Sequence, residues 1–322
     1  MDDVVNQSPV VPVVTVFGGS GFLGYRVVVR LARQGTTVRV AVRHPERVGA
    51  GTQIEWAGRV VRVSADVRDE GSVASAIAGA HAVVNAVSAY VEKAGVTYTA
   101  VHVGGAGNVA RACNRHHVSR LVHVSGIGAD AGSHSRYIRA RGQGEQRVRD
   151  EFPDATILRP SVMFAGDDAF LQSLAAIIRT TPIIPLISGG RTRLQPVHAG
   201  DVAEAICTCI QDPTTRGLLY ELGGPESYTL REVIEMMADK LGKRPFLVPV
   251  PSLLARQIAR LLQLLRSAPL TVAQVDLLEH DNVPETSLSG AGELAAKSIR
   301  QRIGETIAEV TAHGGSGSSL AD

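Results

Sequence analysis

Residues 13–24, Val-Val-Thr-Val-Phe-Gly-Gly-Ser-Gly-Phe-Leu-Gly, constrain the fold of this chain more than any other stretch. The β-branched run Val13–Val16 reads as a buried parallel strand, and Phe22 to Arg33 follows as a helix pattern. Between them stand Gly18, Gly21 and Gly24. Gly18 permits a tight turn out of the strand, Gly21 keeps a Cβ away from an approaching diphosphate, and Gly24 lets the helix pack close on the strand. The helix N-terminus adds free N–H groups and the positive end of its dipole. Ser20, Phe22 and Leu23 complete the backbone lining of that anion site.

Further strands at 37–42, 60–65, 81–86, 120–125 and 155–158 alternate with helices at 70–78, 96–116 and 135–151. That alternation predicts right-handed βαβ units and an α/β fold, a Rossmann-type doubly wound parallel sheet. The pattern changes near Phe164. Helices at 169–179, 199–211 and 230–241 and short strands at 183–187, 194–197 and 219–222 predict a smaller α/β C-terminal lobe. The expected division is a dinucleotide domain over 12–165 and a substrate or partner lobe over 166–313, interleaved with the first. A Gly/Ser-rich, disordered tail is expected over 314–322.

Several function classes are disfavoured. A formal net charge of +2 and 4% aromatic content do not suit nucleic-acid binding. Cys113, Cys207 and Cys209 have neither metal-ligand nor disulfide-framework spacing, so no metal site is expected and a reducing cytoplasm is. The acidic, polar start predicts no secretory signal, and no apolar run reaches the ~18 residues of a membrane span.

The second strand ends in Arg43, nineteen residues after Gly24, with Arg47 one turn on and no acid between Thr36 and Pro45. An NAD site places Asp or Glu here for the ribose 2′-OH. A guanidinium fits a 2′-phosphate instead, so NADP(H) is favoured over NAD(H). A merely solvated Arg43 would leave the choice open. Asp66 and Val67 follow the third strand, where a carboxylate can accept from adenine's amine and Val can pack its face; a helix-capping role for Asp66 is the alternative. Ala86, Val87 and Ser88 close the fourth strand with the small residues needed to pass under a ribose.

Ser125 ends the fifth strand, Tyr137 lies twelve residues on, and Arg141 shares its helix face at i+4. With the glycine motif and Leu158-Arg159-Pro160-Ser161, these residues resemble the short-chain dehydrogenase/reductase superfamily over roughly residues 13–250. Pro196-Val197-His198-Ala199-Gly200-Asp201 is similar to a segment of its extended and atypical members. The resemblance implies that Tyr137 donates a proton to a carbonyl, that Ser125 orients the substrate, and that Pro160 joins the cofactor contacts. The family's Tyr-x-x-x-Lys is here Tyr137-Ile-Arg-Ala-Arg141. An arginine can hold ribose hydroxyls and favour a phenolate, but it does not readily release a proton.

Ser135-Arg-Tyr-Ile-Arg-Ala-Arg-Gly-Gln-Gly-Glu145, Val248-Pro-Val-Pro251 and Gln274–Val283 resemble one atypical group more closely. That group holds the NADPH-binding accessory subunit of respiratory complex I and bacterial relatives, some linked to ubiquinone biosynthesis. The resemblance implies tight NADPH binding with a structural or quinone-related role. Helix pattern 252–267 carries leucines interspersed with Arg256, Arg260 and Arg266, which suits an anionic membrane surface, the small lobe or another protein. It leaves a place on the inner face of a membrane open beside the cytoplasm. Three readings stand at this point: a cofactor-holding respiratory or quinone-linked protein, an active NADPH-dependent reductase of a small carbonyl or quinone-like substrate, and an NADP(H)-sensing binding module.

Overall fold

A computed structural model describes residues 12–47, 59–93, 95–263 and 271–285. The first half runs β1 Val13–Phe17, α1 Phe22–Arg33, β2 Thr37–Val42, β3 Val60–Ser64, α2 Glu70–Ile77 and β4 Ala82–Asn85. It continues through α3 Ala106–Arg115, β5 Arg120–Val124, α4 Arg136–Glu151 and β6 Thr156–Pro160. The second half runs β7 Met163–Phe164, α5 Ala169–Thr180, β8 Ile183–Ile187, β9 Arg193–Leu194, β10 Val197–His198 and α6 Ala199–Gln211. It ends with β11 Leu219–Leu222, β12 Tyr228–Thr229, α7 Leu230–Lys240, β13 Phe246–Val250, α8 Ser252–Leu262 and α9 Val272–Leu277.

Seven strands form one parallel sheet in the order β3-β2-β1-β4-β5-β6-β11, the doubly wound arrangement expected. α1 and α6 bury Leu23, Val27, Leu31, Val202 and Ile206 on one face. Ile77 of α2, Val109 and Cys113 of α3, and Val148 of α4 cover the other. Both faces are dry over the central strands β1 and β4, which is why these read as apolar runs and not as alternating ones, whereas the edge strand β3 is half exposed.

Four elements depart from expectation. Helix α6, assigned above to the small lobe, packs with α1 on the main sheet. Leu219–Leu222, assigned above to the small lobe, is the seventh strand of the main sheet, where it covers the open edge of β6. The strand expected over 194–197 is two separate pairs, β9 with β12 and β10 with β7, because Pro196 between them has no N–H to continue a ladder. The helix expected from Val96 begins at Thr99 as a wide π-turn that hands over to α3, since Val96 is already bridged to Lys93. The lobe itself packs α5, α7 and β8 around Phe164, Leu194 and Tyr228, and α9 docks on α4. Of the amphipathic stretch 252–267, α8 covers 252–262. Residues 264–267, the tail over 314–322 and the side chain of Arg47 lie outside the described residues.

Candidate functional site

The turn between β1 and α1 has no room for a side chain at Gly18, and none at Gly24 where the helix leaves it. Gly18 sits at φ +75°, and a Cβ there would lie 2.9 Å from the carbonyl carbon and oxygen of Ala86. Thus the glycine turn rests directly on the 86–88 segment after β4, as the pairing of Phe17 with Asn85 requires. A Cβ on Gly24 would overlap the Gly18 carbonyl, 2.7 Å from its carbon and 2.9 Å from Gly19 Cα. Gly21 is the N-cap of α1 and no side chain caps that end. The N–H groups of Phe22, Leu23 and Gly24 therefore face outward with no acceptor among the described residues. With no acid in the first turn and Arg30 and Arg33 in the last, this terminus suits a diphosphate.

Arg43 is exposed just beyond β2. Asp66 is clasped by Arg68, whose Nη2 lies 2.6 Å and whose backbone N–H lies 3.0 Å from its oxygens. Arg68 holds the Asp66 carboxyl below the usual carboxylate range, with burial opposing and Arg43 adding to it. The capping role belongs to Asp69, whose carboxylate accepts from the Gly71 N–H. An adenine amine would share Asp66 with Arg68, while Val67 is buried beside Gly105.

Tyr137 is 1% exposed. Its ring stacks on Tyr90 at 5.4 Å and meets Tyr98 and His102 edge-on at 5.4 and 5.5 Å. Arg141 Nη1 donates to its hydroxyl at 2.7 Å. Burial pushes that hydroxyl above the ordinary phenol value, and the Arg141 charge opposes the shift. The guanidinium lies flat against Gly126: a Cβ there would be 2.9 Å from Nη1 and 3.0 Å from Cζ. Ser125, one residue before, is 3% exposed, and its Oγ has no hydrogen-bond partner among the described residues. Pro160 closes β6 beside this group and is buried. A buried hydroxyl without a partner costs about 1–3 kcal/mol, a cost that a polar group reaching Ser125 would relieve.

Sequence reasoning missed what surrounds Tyr137. Tyr90 and Tyr98 carried no motif, although the chain has only six tyrosines. Glu145 was readable, since it continues the Tyr137–Arg141 face of α4 at i+8. It is buried and forms a two-point pair with Arg159, at 2.9 and 2.7 Å. Arg159 also reaches Glu221 at 3.2 Å. Gly144 lets α4 press onto the π-turn, where a Cβ would overlap the His102 carbonyl. Ser135, expected to start α4, hydrogen-bonds Asp276 of α9 at 2.5 Å instead of capping the helix. Asn282 accepts from the Ser161 hydroxyl and the Val162 N–H at 2.7 and 2.9 Å. The stretch 274–283 is thus a strap across the site.

Two buried histidines tie this region to pH. Burial lowers His102 to about 3, helped by Arg141. Burial also lowers His123 to about 4, with Glu145 opposing and Arg141 adding. His123 Nδ1 lies 3.3 Å from Asn85 Nδ2. Both rings stay neutral when folded, whereas unfolded histidine takes up a proton near pH 6.5. Stability is therefore whole above pH 6.5 and falls between there and pH 4, by about 1.4 kcal/mol per pH unit for each ring. Urea titrations at pH 7, 6 and 5 should show that slope, and His123→Asn should remove about half of it.

The NAD(P)H-binding family matches residues 18–213, more than half of the chain. The chain belongs to the NAD(P)H-binding family. Among relatives, the chain is 34% identical over 250 residues to NADH dehydrogenase [ubiquinone] 1 alpha subcomplex subunit 9 of Arabidopsis thaliana, covering 77% of this chain and 62% of that protein. It is 33% identical over 270 residues to the NADH-ubiquinone oxidoreductase 40 kDa subunit of Neurospora crassa, covering 84% and 71%. The chain thus spans less than two thirds of the Arabidopsis relative. A short-chain dehydrogenase/reductase superfamily protein from Agrobacterium tumefaciens with bound NAD shares the fold of this family member at TM-score 0.70 and 19% identity, over 94% of this chain and 98% of that one. The bare N-terminus of α1 lies within the residues that the family model matches. Among the described residues no cluster of His, Cys, Asp and Glu could hold a metal, and no helix is long and apolar enough to cross a membrane.

Proposed function

We propose that this protein holds NADP(H) on the Gly18–Gly24 turn as a component of respiratory or quinone metabolism, with its own carbonyl-reducing residues kept closed. The observation that carries the reading is Tyr137, which is covered by Tyr90 and already bonded to Arg141. Complex I names among the relatives support a protein partner, and the apolar, arginine-bearing α8 supports a place at a membrane surface.

A bound nicotinamide dinucleotide supplies two-electron hydride chemistry. The chain's own residues do the rest. The N–H groups of 22–24 hold the diphosphate, and Arg43 pairs with a 2′-phosphate. Arg141 fixes the Tyr137 hydroxyl but keeps its own proton, so any proton given by Tyr137 is not quickly replaced along the helix. Tyr90 keeps water and substrate from that hydroxyl. The second reading, an active reductase, is favoured by Ser125, whose orphaned hydroxyl is placed as a carbonyl-orienting donor.

Titration calorimetry with NADPH and NADH tests the first reading. Arg43→Asp should weaken NADPH relative to NADH by ~1–3 kcal/mol, the scale of a lost charge-assisted contact. Unchanged preference would remove Arg43 from the site. Nicotinamide fluorescence should survive gel filtration and resist a panel of quinones. Oxidation of that NADPH by a quinone, lost in Tyr137→Phe, would establish the reductase instead.

A further inference from the structure

At the carboxyl edge of the main sheet, Arg43 and Asp66 follow two neighbouring strands. β2 and β3 run parallel with Val42 opposite Ser64, and the Ala65 N–H donates to the Val42 carbonyl at 2.9 Å. Arg43 is therefore the first residue past β2, and Asp66 the second past β3. The two are near enough for the Arg43 charge to favour the ionised form of Asp66. A free carboxylate at this place would act twice against a 2′-phosphate. It would repel the anion directly, and it would offer the Arg43 guanidinium a competing partner.

Asp66 is not free. Arg68 Nε lies 3.0 and 3.1 Å from its two oxygens, and Nη2 lies 2.6 Å from one of them. The Arg68 backbone N–H donates to the same carboxylate at 3.0 Å. The far side of the guanidinium donates through Nη1 to the Gly95 carbonyl, so the fork is held at both ends. The Asp66 and Arg68 side chains are 26% and 32% exposed, partly withdrawn from competing water. Arg43 is exposed and has no carboxylate within ion-pair distance among the described residues. The three side chains carry one net positive charge, and Arg43 is the one that stays open.

From this geometry we infer that Arg68 is a positioning residue that sets the preference for NADP(H). By engaging the Asp66 carboxylate it leaves Arg43 available to the extra phosphate. The inference rests on the proposed NADP(H) reading and adds to it a residue that acts through its neighbours. Charge counting gives its signature. Removing Arg68 brings the net charge of the three positions to zero, and removing the Asp66 charge as well restores the single positive charge. One partly exposed charge of this kind changes affinity by about fivefold.

Titration calorimetry with NADPH and NADH on wild type, Arg68→Met, Asp66→Asn and the double variant tests it. The quantity read is the ratio of the two affinities, in which any effect on adenine or on folding is common to both ligands and cancels. Arg68→Met should lower the preference for NADPH about fivefold. The double variant should return it to the wild-type ratio, and Asp66→Asn alone should not lower it. Arg68→Gln, which can keep a hydrogen bond to Gly95 without the charge, should behave as Arg68→Met does. An unchanged ratio in both Arg68 variants overturns the inference and leaves Arg68 a structural clasp. A ratio that falls in Arg68→Met and stays low in the double variant also overturns it, because Arg68 would then touch the phosphate itself. Wild type without any preference for NADPH removes the NADP(H) reading and this inference together, while NADH heat in every protein shows that the dinucleotide site is intact.

Discussion

Gly24→Val is expected to abolish measurable binding of either nicotinamide dinucleotide. The new side chain would enter the space of the Gly18 carbonyl and lie against Gly19 Cα, and both are backbone. Gly18 cannot yield, because its own φ of +75° and its contact with Ala86 hold it on the sheet. The relief must come from α1, whose first turn would swing off β1 and carry the 22–24 N–H groups with it. Overpacking of this kind costs about 1–3 kcal/mol of stability, so the protein should still fold, with a lowered melting temperature. Calorimetry should find no heat for NADPH or NADH at concentrations that saturate wild type. Gly71→Ala serves as the control. A Cβ there meets only Asp69 Oδ1, at an ordinary 3.5 Å, and binding should persist. Wild-type affinity in Gly24→Val would mean that the diphosphate does not rest on this helix.

Arg159→Met should be the most destabilising single change among the buried polar groups. It leaves Glu145 and Glu221, 2% and 7% exposed, without the cation between them. Removing one partner of such a buried group costs about 3–5 kcal/mol, because the remaining charges are neither hydrated nor paired. Arg159 also donates to the Ala129 carbonyl at 3.1 Å, so the loop before α4 loses an anchor as well. Urea unfolding at pH 7 measures the loss, and adding Glu145→Gln should recover part of it by removing one stranded charge. A loss below about 1 kcal/mol would show that water reaches these carboxylates after the change. Because Glu145 sits one turn beyond Arg141 on α4, the variant should also loosen the Arg141 contact with Tyr137.

The elements that pattern could reveal were those whose stabilisation is local or repeats with a short period. Glycines 18, 21 and 24, the apolar strands and the Tyr137–Arg141 spacing each express a constraint between near neighbours. Strand 219–222 could not be placed in the same way. Its four residues are equally apolar beside either lobe, and only the open edge of β6 settles the choice. Glu145 stood in a recognisable stretch without a role, since its partner Arg159 is fourteen residues away on a different element.

By itself the sequence determined the doubly wound sheet, the tight glycine turn into the first helix and the basic residue at the end of the second strand, because periodicity, missing side chains and chain order act along the backbone. Only the tertiary structure decided that Tyr137 is covered by Tyr90 and held by Arg141 against Gly126, and that the 274–283 strap closes on Ser135 and Ser161. Apart from the Arg141–Tyr137 bond, four positions apart on one helix, those contacts join residues 15 to 141 positions apart. Their free energy comes from desolvation and pairing in a shared interior, which has no signature in the order of residues along the chain.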